Sequence, residues 1–124
     1  MTKIVLKGNP LSTQSIYKYA CRGKFSVMYM TKKGKDIKER YQWEMKNQWD
    51  KPLLKAPIEL FIILYFGDKR KRDIDNFNKL ILDAGEEIIW KNDKDIKKLI
   101  IEKRYDKEYP RIELFATNMM GDVV

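Results

Sequence analysis

The chain has 124 residues, 44% hydrophobic and 35% charged, with a net charge of +8. That length suits one domain with a buried core and is too short for two, while the positive balance points to a polyanionic partner. There is no histidine and a single cysteine, Cys21, which excludes a Ser-His-Asp triad, a Cys-His pair, a His-ligated zinc site and an internal disulfide.

Acid–base chemistry therefore falls to carboxylates, lysine, tyrosine or a metal-activated water. No N-terminal signal pattern is present, and the longest apolar run, Leu60 to Phe66, is far too short to span a bilayer. The expectation is a soluble cytoplasmic protein with no membrane partner.

In chain order, Lys3 to Lys7 reads as a strand, broken by Gly8-Asn9-Pro10. Leu11 to Lys18 reads as a polar loop, either a plain connector or a phosphate contact through hydroxyls and backbone N–H groups. Phe25 to Met30 alternates like a second strand, and Thr31 can cap a helix starting at Lys32. From Lys32 to Trp49, Ile37, Tyr41, Met45 and Trp49 recur every fourth residue, which predicts a helix with one buried face. Trp43 falls off that stripe; packing is expected for it ahead of stacking on a base. Asp50 to Pro57 is a connector.

Pro57 to Phe66 is nearly continuous in apolar residues, which predicts a strand buried on both faces. Gly67 ends it, and the basic loop Lys69 to Arg72 comes next. At about 100° per residue, Ile74, Phe77, Leu80, Ile81, Ala84 and Ile88 share an arc of about 120°. That predicts a helix from Ile74 to Ile88 with Asp75, Lys79 and Asp83 on its outer side. Ile96 to Tyr105 and Arg111 to Thr117 read as two strands joined in a hairpin by Asp106 to Pro110, and Asn118 to Val124 reads as a frayed tail. The order β-β-α-β-α-β-β predicts one α+β domain over residues 1–124, a single mixed sheet with two packed helices.

The chemistry concentrates at Lys69-Arg70-Lys71-Arg72-Asp73-Ile74-Asp75. Phosphodiester hydrolysis needs charge neutralised on the phosphate and a water made nucleophilic, both of which a divalent ion supplies. Mg²⁺ takes oxygen ligands and is commonly held by one or two carboxylates together with substrate phosphate. Asp73 and Asp75 are of that type, and residues two apart in an extended segment project to one side. Each also suits a plain helix N-cap. Lys79 could stabilise developing phosphate charge, or simply pair with Asp75 or Asp83, worth about 0.3–0.5 kcal/mol. Asp93 and Asp95 sit in a turn where aspartate is common for local hydrogen bonding. The basic run is phosphate-binding by type or a solvated face.

Arg72-Asp73-Ile74-Asp75-Asn76-Phe77-Asn78-Lys79, then Asp83, then Trp90-Lys91-Asn92-Asp93, resembles the signature of RusA-type Holliday junction resolvases. That signature is a basic run, D-x-D-N-x-x-K, a helix with a further Asp, and a final Asp in a W-x-x-D-like turn. Pro10-Leu11-Ser12 to Tyr17 resembles the family's N-terminal loop, with Thr13, Gln14 and Ser15 where asparagines or lysines are common. The resemblance implies a small, dimeric, Mg²⁺-dependent endodeoxyribonuclease, with Mn²⁺ as an alternative ion, of a kind often encoded by phages and prophages. It would cleave four-way DNA junctions by paired symmetric cuts in recombination and repair.

By the match, Asp73, Asp75 and Asp93 bind the metal, Lys79 is the catalytic lysine, and Lys69, Arg70, Lys71, Arg72 and Lys79 bind DNA. Asp93 would have to return about 17 Å along residues 89–93 to rejoin Asp73 past a helix about 20 Å long. The expectation is that it does so within the same chain. The rival readings are a non-catalytic basic nucleic-acid-binding module, a nuclease for other branched or flap DNA, and a structural protein whose aspartates only cap a helix.

Overall fold

Ile58, Leu60, Ile62, Leu64 and Phe66 alternate along one strand and are all buried. This strand, β4 (Ile58–Phe66), anchors the fold in a computed structural model that describes residues 2–119. β1 (Lys3–Lys7), β6 (Arg111–Asn118), β4 and β5 (Ile96–Tyr105) form one mixed sheet in the order β1-β6-β4-β5. β6 runs antiparallel to both neighbours, while β4 and β5 are parallel. The register sets Leu114 between Ile4 and Ile62, and Ile112 between Leu6 and Leu64. These positions therefore share one face. Over it pack Tyr41 and Met45 of α2 (Lys32–Gln48), Trp49 at its C-cap, and Leu80, Ile81 and Ala84 of α3 (Lys79–Gly85). Each such aliphatic side chain contributes about 1.5–3 kcal/mol by leaving water.

The α+β class and the mixed sheet are as the sequence predicts, but the last two strands are not a hairpin. β4 lies between them, and the Asp106 N–H donates to the Phe66 carbonyl at 2.9 Å as the connection crosses the end of β4. The reason lies in the side chains. β6 is largely buried and suits an interior position, whereas β5 is mostly exposed and charged, which suits an edge. The strand β4 is also less covered on its second face, where Glu59, Phe61 and Tyr65 remain partly exposed. There Phe61 meets Phe115 edge-on at 5.9 Å. The other edge, β1, is blunted by α2: Val5 exchanges hydrogen bonds with the Gln48 amide at 2.7 and 2.8 Å, and the Lys7 N–H donates to Glu44 at 2.9 Å. Trp43, expected to pack, is 68% exposed because it lies away from the Ile37–Tyr41–Met45 stripe.

A second, two-stranded sheet stands apart from the first. The polar segment expected as a loop forms one helical turn, α1 (Thr13–Ile16), and then a strand, β2 (Tyr17–Arg22), paired with β3 (Phe25–Met30). Gly23, at φ +64°, makes the two-residue connection. The root of this ribbon is clamped to α2. Thr31 donates to the Ile16 carbonyl and caps Gly34, and a Cβ at Gly34 would overlap Ile16 and Met30. No helix among the described residues is long and apolar enough to cross a membrane. Of the segment expected to fray, Asn118 ends β6 and the Met119 N–H donates to Pro57 at 2.8 Å; residues 120–124 lie outside the described residues.

Candidate active site

The helix expected from Ile74 to Ile88 is broken at both ends. A single 3-10 turn covers Ile74–Asn76, and α3 begins only at Lys79 and stops at Gly85. Glu86 leaves helical geometry at ψ 133°. Trp90 is fully buried and its ring fills the space beside Gly85, where a Cβ would sit 2.5 Å from Cη2. Glu87 adopts φ +65°, and the chain turns back so that its N–H meets the Trp90 carbonyl at 2.5 Å. A helix of seven residues spans about 10 Å, half the length expected from the sequence.

Asp73 and Asp75 are exposed. Asp73 precedes the 3-10 turn in extended conformation, and its side chain makes no capping bond. Neither carboxylate has a hydrogen-bond or ion-pair partner among the described residues. The plain capping role is thus not filled by Asp73, although it stands at the cap position. The turn itself is held from elsewhere. Thr13 donates to the Asn76 carbonyl at 2.8 Å, and Phe77 packs edge-on against Phe66 at 5.1 Å. Asp73 lines a polar groove of about 540 Å³ with Ser12, Gln14, Ser15, Arg70 and Lys71.

The four cations of the basic run are not equivalent. Arg72 is gripped by both oxygens of Asp68, at 2.8 and 3.0 Å, and lies 4.4 Å over the Phe66 ring. That guanidinium, with the Arg70 N–H, pushes the Asp68 carboxyl down to about 2. Lys69 sits 5.0 Å over Tyr105. Arg70 and Lys71 face solvent, with Arg70 only loosely paired to Asp68 at 3.6 Å. Arg72 is therefore a structural clamp in this state, and Arg70 and Lys71 are the cations most open to a ligand.

Lys79 opens α3. Its ammonium lies 3.7 Å from Asp83 and 5.0 Å over the Tyr17 ring. Asp83 also accepts a hydrogen bond from the Tyr17 hydroxyl. Burial, then this bond, raises the Tyr17 pKa. Asp93 is half-buried, and its carboxylate accepts the Trp90 indole N–H at 2.6 Å, while its own N–H donates to Glu86 at 3.1 Å. Its pKa is raised chiefly by burial and further by Glu86 and Asp83; the Trp90 bond and Lys79 oppose that shift. The local turn bond is made by its neighbour, as Asn92 accepts from the Lys94 N–H at 2.9 Å. Asp93 is thus free of the turn-forming role its position suggested.

The structure therefore sets Lys79, Asp83 and Glu86 along one side of α3, with Asp93 near its C-terminal end. Asp73 and Asp75 stand on the preceding turn. Among the described residues, no three carboxylates converge closely enough to hold a metal ion. The donor set is nonetheless all oxygen, which suits a hard cation, and Mg²⁺ needs only one or two carboxylates when phosphate and water complete its shell. Tyr17, Glu86 and Trp90 are the members that sequence reasoning missed as site residues. The two-residue Gly23-Lys24 turn was the signal that could have found the strand carrying Tyr17.

Unpartnered carboxylates beside open cations define a class of surface, one suited to phosphate polyanions. Residues 7–115 match the family model of the endodeoxyribonuclease RusA, and the chain belongs to that family. No curated protein matches it.

Proposed function

We propose that the chain is a Mg²⁺-dependent endonuclease that resolves four-way DNA junctions by paired cuts, acting as a homodimer in the cytoplasm. The observation that carries this reading is the pair of exposed, unpartnered carboxylates, Asp73 and Asp75, inside a family match that spans residues 7–115. Carboxylates left without a protein partner are of the type that holds a hard cation together with phosphate and water.

Asp73 and Asp75 would hold the ion with phosphate and water completing its shell, Asp93 would be drawn in as a third ligand only when the ion binds, and Mn²⁺ would substitute. When bound, it would neutralise phosphate charge and make a water nucleophilic. Lys79 would stabilise charge developing on the scissile phosphate, held in place by Asp83 and the Tyr17 ring. Arg70 and Lys71, with Lys69 and Arg72 behind them, would track the backbone. Such contacts give affinity without sequence information, so the choice of substrate would come from shape. A two-fold dimer supplies two sites at a fixed separation, matching a junction with two strands to cut.

Asp75→Asn tests the site. The expected result is loss of Mg²⁺-dependent cutting with junction binding retained; full cutting by this variant would refute the assignment. Light scattering at micromolar concentration should give twice the chain mass, and a strict monomer would count against paired cutting.

A further inference from the structure

The β2–β3 ribbon carries its apolar side chains in water. Tyr19 is 73% exposed, Phe25 75% and Tyr29 49%, with Val27 and Met28 also open. A two-stranded ribbon has no second layer to bury such residues and is marginal by itself, so this surface is shaped for an occupant. The register puts Lys18 directly opposite Tyr29 and Ala20 opposite Val27. Residues two apart share a face, so Tyr29, Val27 and Phe25 form one row with Lys18 beside it.

The charge around the ribbon selects the occupant. From Tyr17 to Lys35 the chain carries Lys18, Arg22, Lys24, Lys32, Lys33 and Lys35 and no acidic residue. Two such ribbons laid together would bring like charges into contact, whereas a polyanion neutralises them. Aromatic rings interleaved with lysines suit nucleic acid whose bases are free to stack. Same-face side chains along a strand recur about every 6.7 Å, close to twice the roughly 3.4 Å rise of stacked bases. Phe25 and Tyr29 lie four residues apart, about 13 Å along the strand, so each ring would stack a base of its own.

The ribbon also stands close to the candidate site. It springs from Tyr17, whose hydroxyl binds Asp83, the partner of Lys79. Six residues of strand reach about 20 Å, so the aromatic row lies within one ribbon length of that lysine. We propose that the β2–β3 ribbon binds unpaired bases of DNA by stacking them on Phe25 and Tyr29, and so selects branched over linear substrate. This rests on the nuclease reading above, and adds to it the element that reads branching.

The test uses the full chain, a synthetic four-way junction carrying 2-aminopurine at the branch point, and a matched linear duplex, with binding measured in EDTA. The wild type should change the 2-aminopurine emission. The Phe25→Ala/Tyr29→Ala double variant should lose that change and bind the junction about fivefold or more weaker, with duplex affinity unaltered. Phe25→Trp and Tyr29→Phe keep a stacking face and should bind as the wild type does, which separates stacking from misfolding. Equal junction affinity in the double variant would overturn the proposal. A halved mass by light scattering would also overturn it, by making the ribbon a protein interface. Wild-type cutting of the junction with Mg²⁺ reports separately on the nuclease reading, so a silent ribbon on an active nuclease sinks this inference alone.

Discussion

Asp83 holds two partners, and they should differ sharply in worth. Its pairing with Lys79 is an i, i+4 contact at 3.7 Å with both side chains partly in water, a geometry worth about 0.3–0.5 kcal/mol. Its bond from Tyr17 joins a nearly buried phenol to a carboxylate, the kind of charge-assisted bond worth about 1.5–3 kcal/mol. Asp83→Ala should therefore cost about 2–3 kcal/mol, nearly all of it through Tyr17. Double-mutant cycles in urea separate the two terms. Tyr17→Phe with Asp83→Ala should couple by more than about 1 kcal/mol, and Lys79→Ala with Asp83→Ala by less than about 0.5 kcal/mol. A larger coupling through Lys79 than through Tyr17 would refute the reasoning. The stake is functional: Asp83 fixed by Tyr17 is a rigid post against which the Lys79 ammonium is positioned.

Three further outcomes rest on the same geometry. Burial raises the Asp93 pKa above its ordinary 3.8, so the native state holds that proton more tightly and stability falls as pH rises through the interval between the two values. Asp93→Asn removes this cost and can still accept the Trp90 bond; it should be no less stable than wild type at pH 7 by urea unfolding, yet should not cut DNA. Tyr17 is likewise held neutral in the folded state, so stability should fall as pH rises above about 10. Tyr17→Phe should flatten that fall in part, leaving the share due to Tyr41, which burial pushes up to about 12. Gly85→Ala should destabilise by about 1–3 kcal/mol, because its Cβ meets the Trp90 ring, and urea midpoints would show it.

The elements legible in the sequence were those whose burial has a regular period. α2 came from its fourth-residue stripe and β4 from its nearly continuous apolar run, while the bounds of β5 were read without such a pattern. The short α3 was hidden because Ile88 and Ile89 continue the helical pattern. The helix ends where Glu86 and Glu87 leave helical backbone, and the apolar pattern carries no sign of that change. The position of β6 beside β4 was hidden for a similar reason, as sequence adjacency favours a hairpin and only relative burial places β5 at the edge. At the site, the acids and Lys79 were legible as residue types, and the family pattern linked Asp93 to them. Which cations are free was not legible. Asp68 occupies Arg72, and the run Lys69 to Arg72 gives no sign of that.

The proposed activity is the cutting of branched DNA with a divalent ion. Incubating the chain with a synthetic four-way junction and a matched linear duplex, with and without Mg²⁺, tests this most directly. Paired symmetric nicks on the junction, only with Mg²⁺, and an intact duplex are the expected result. An uncut junction at full occupancy of bound protein, or equal cutting of both substrates, would contradict it.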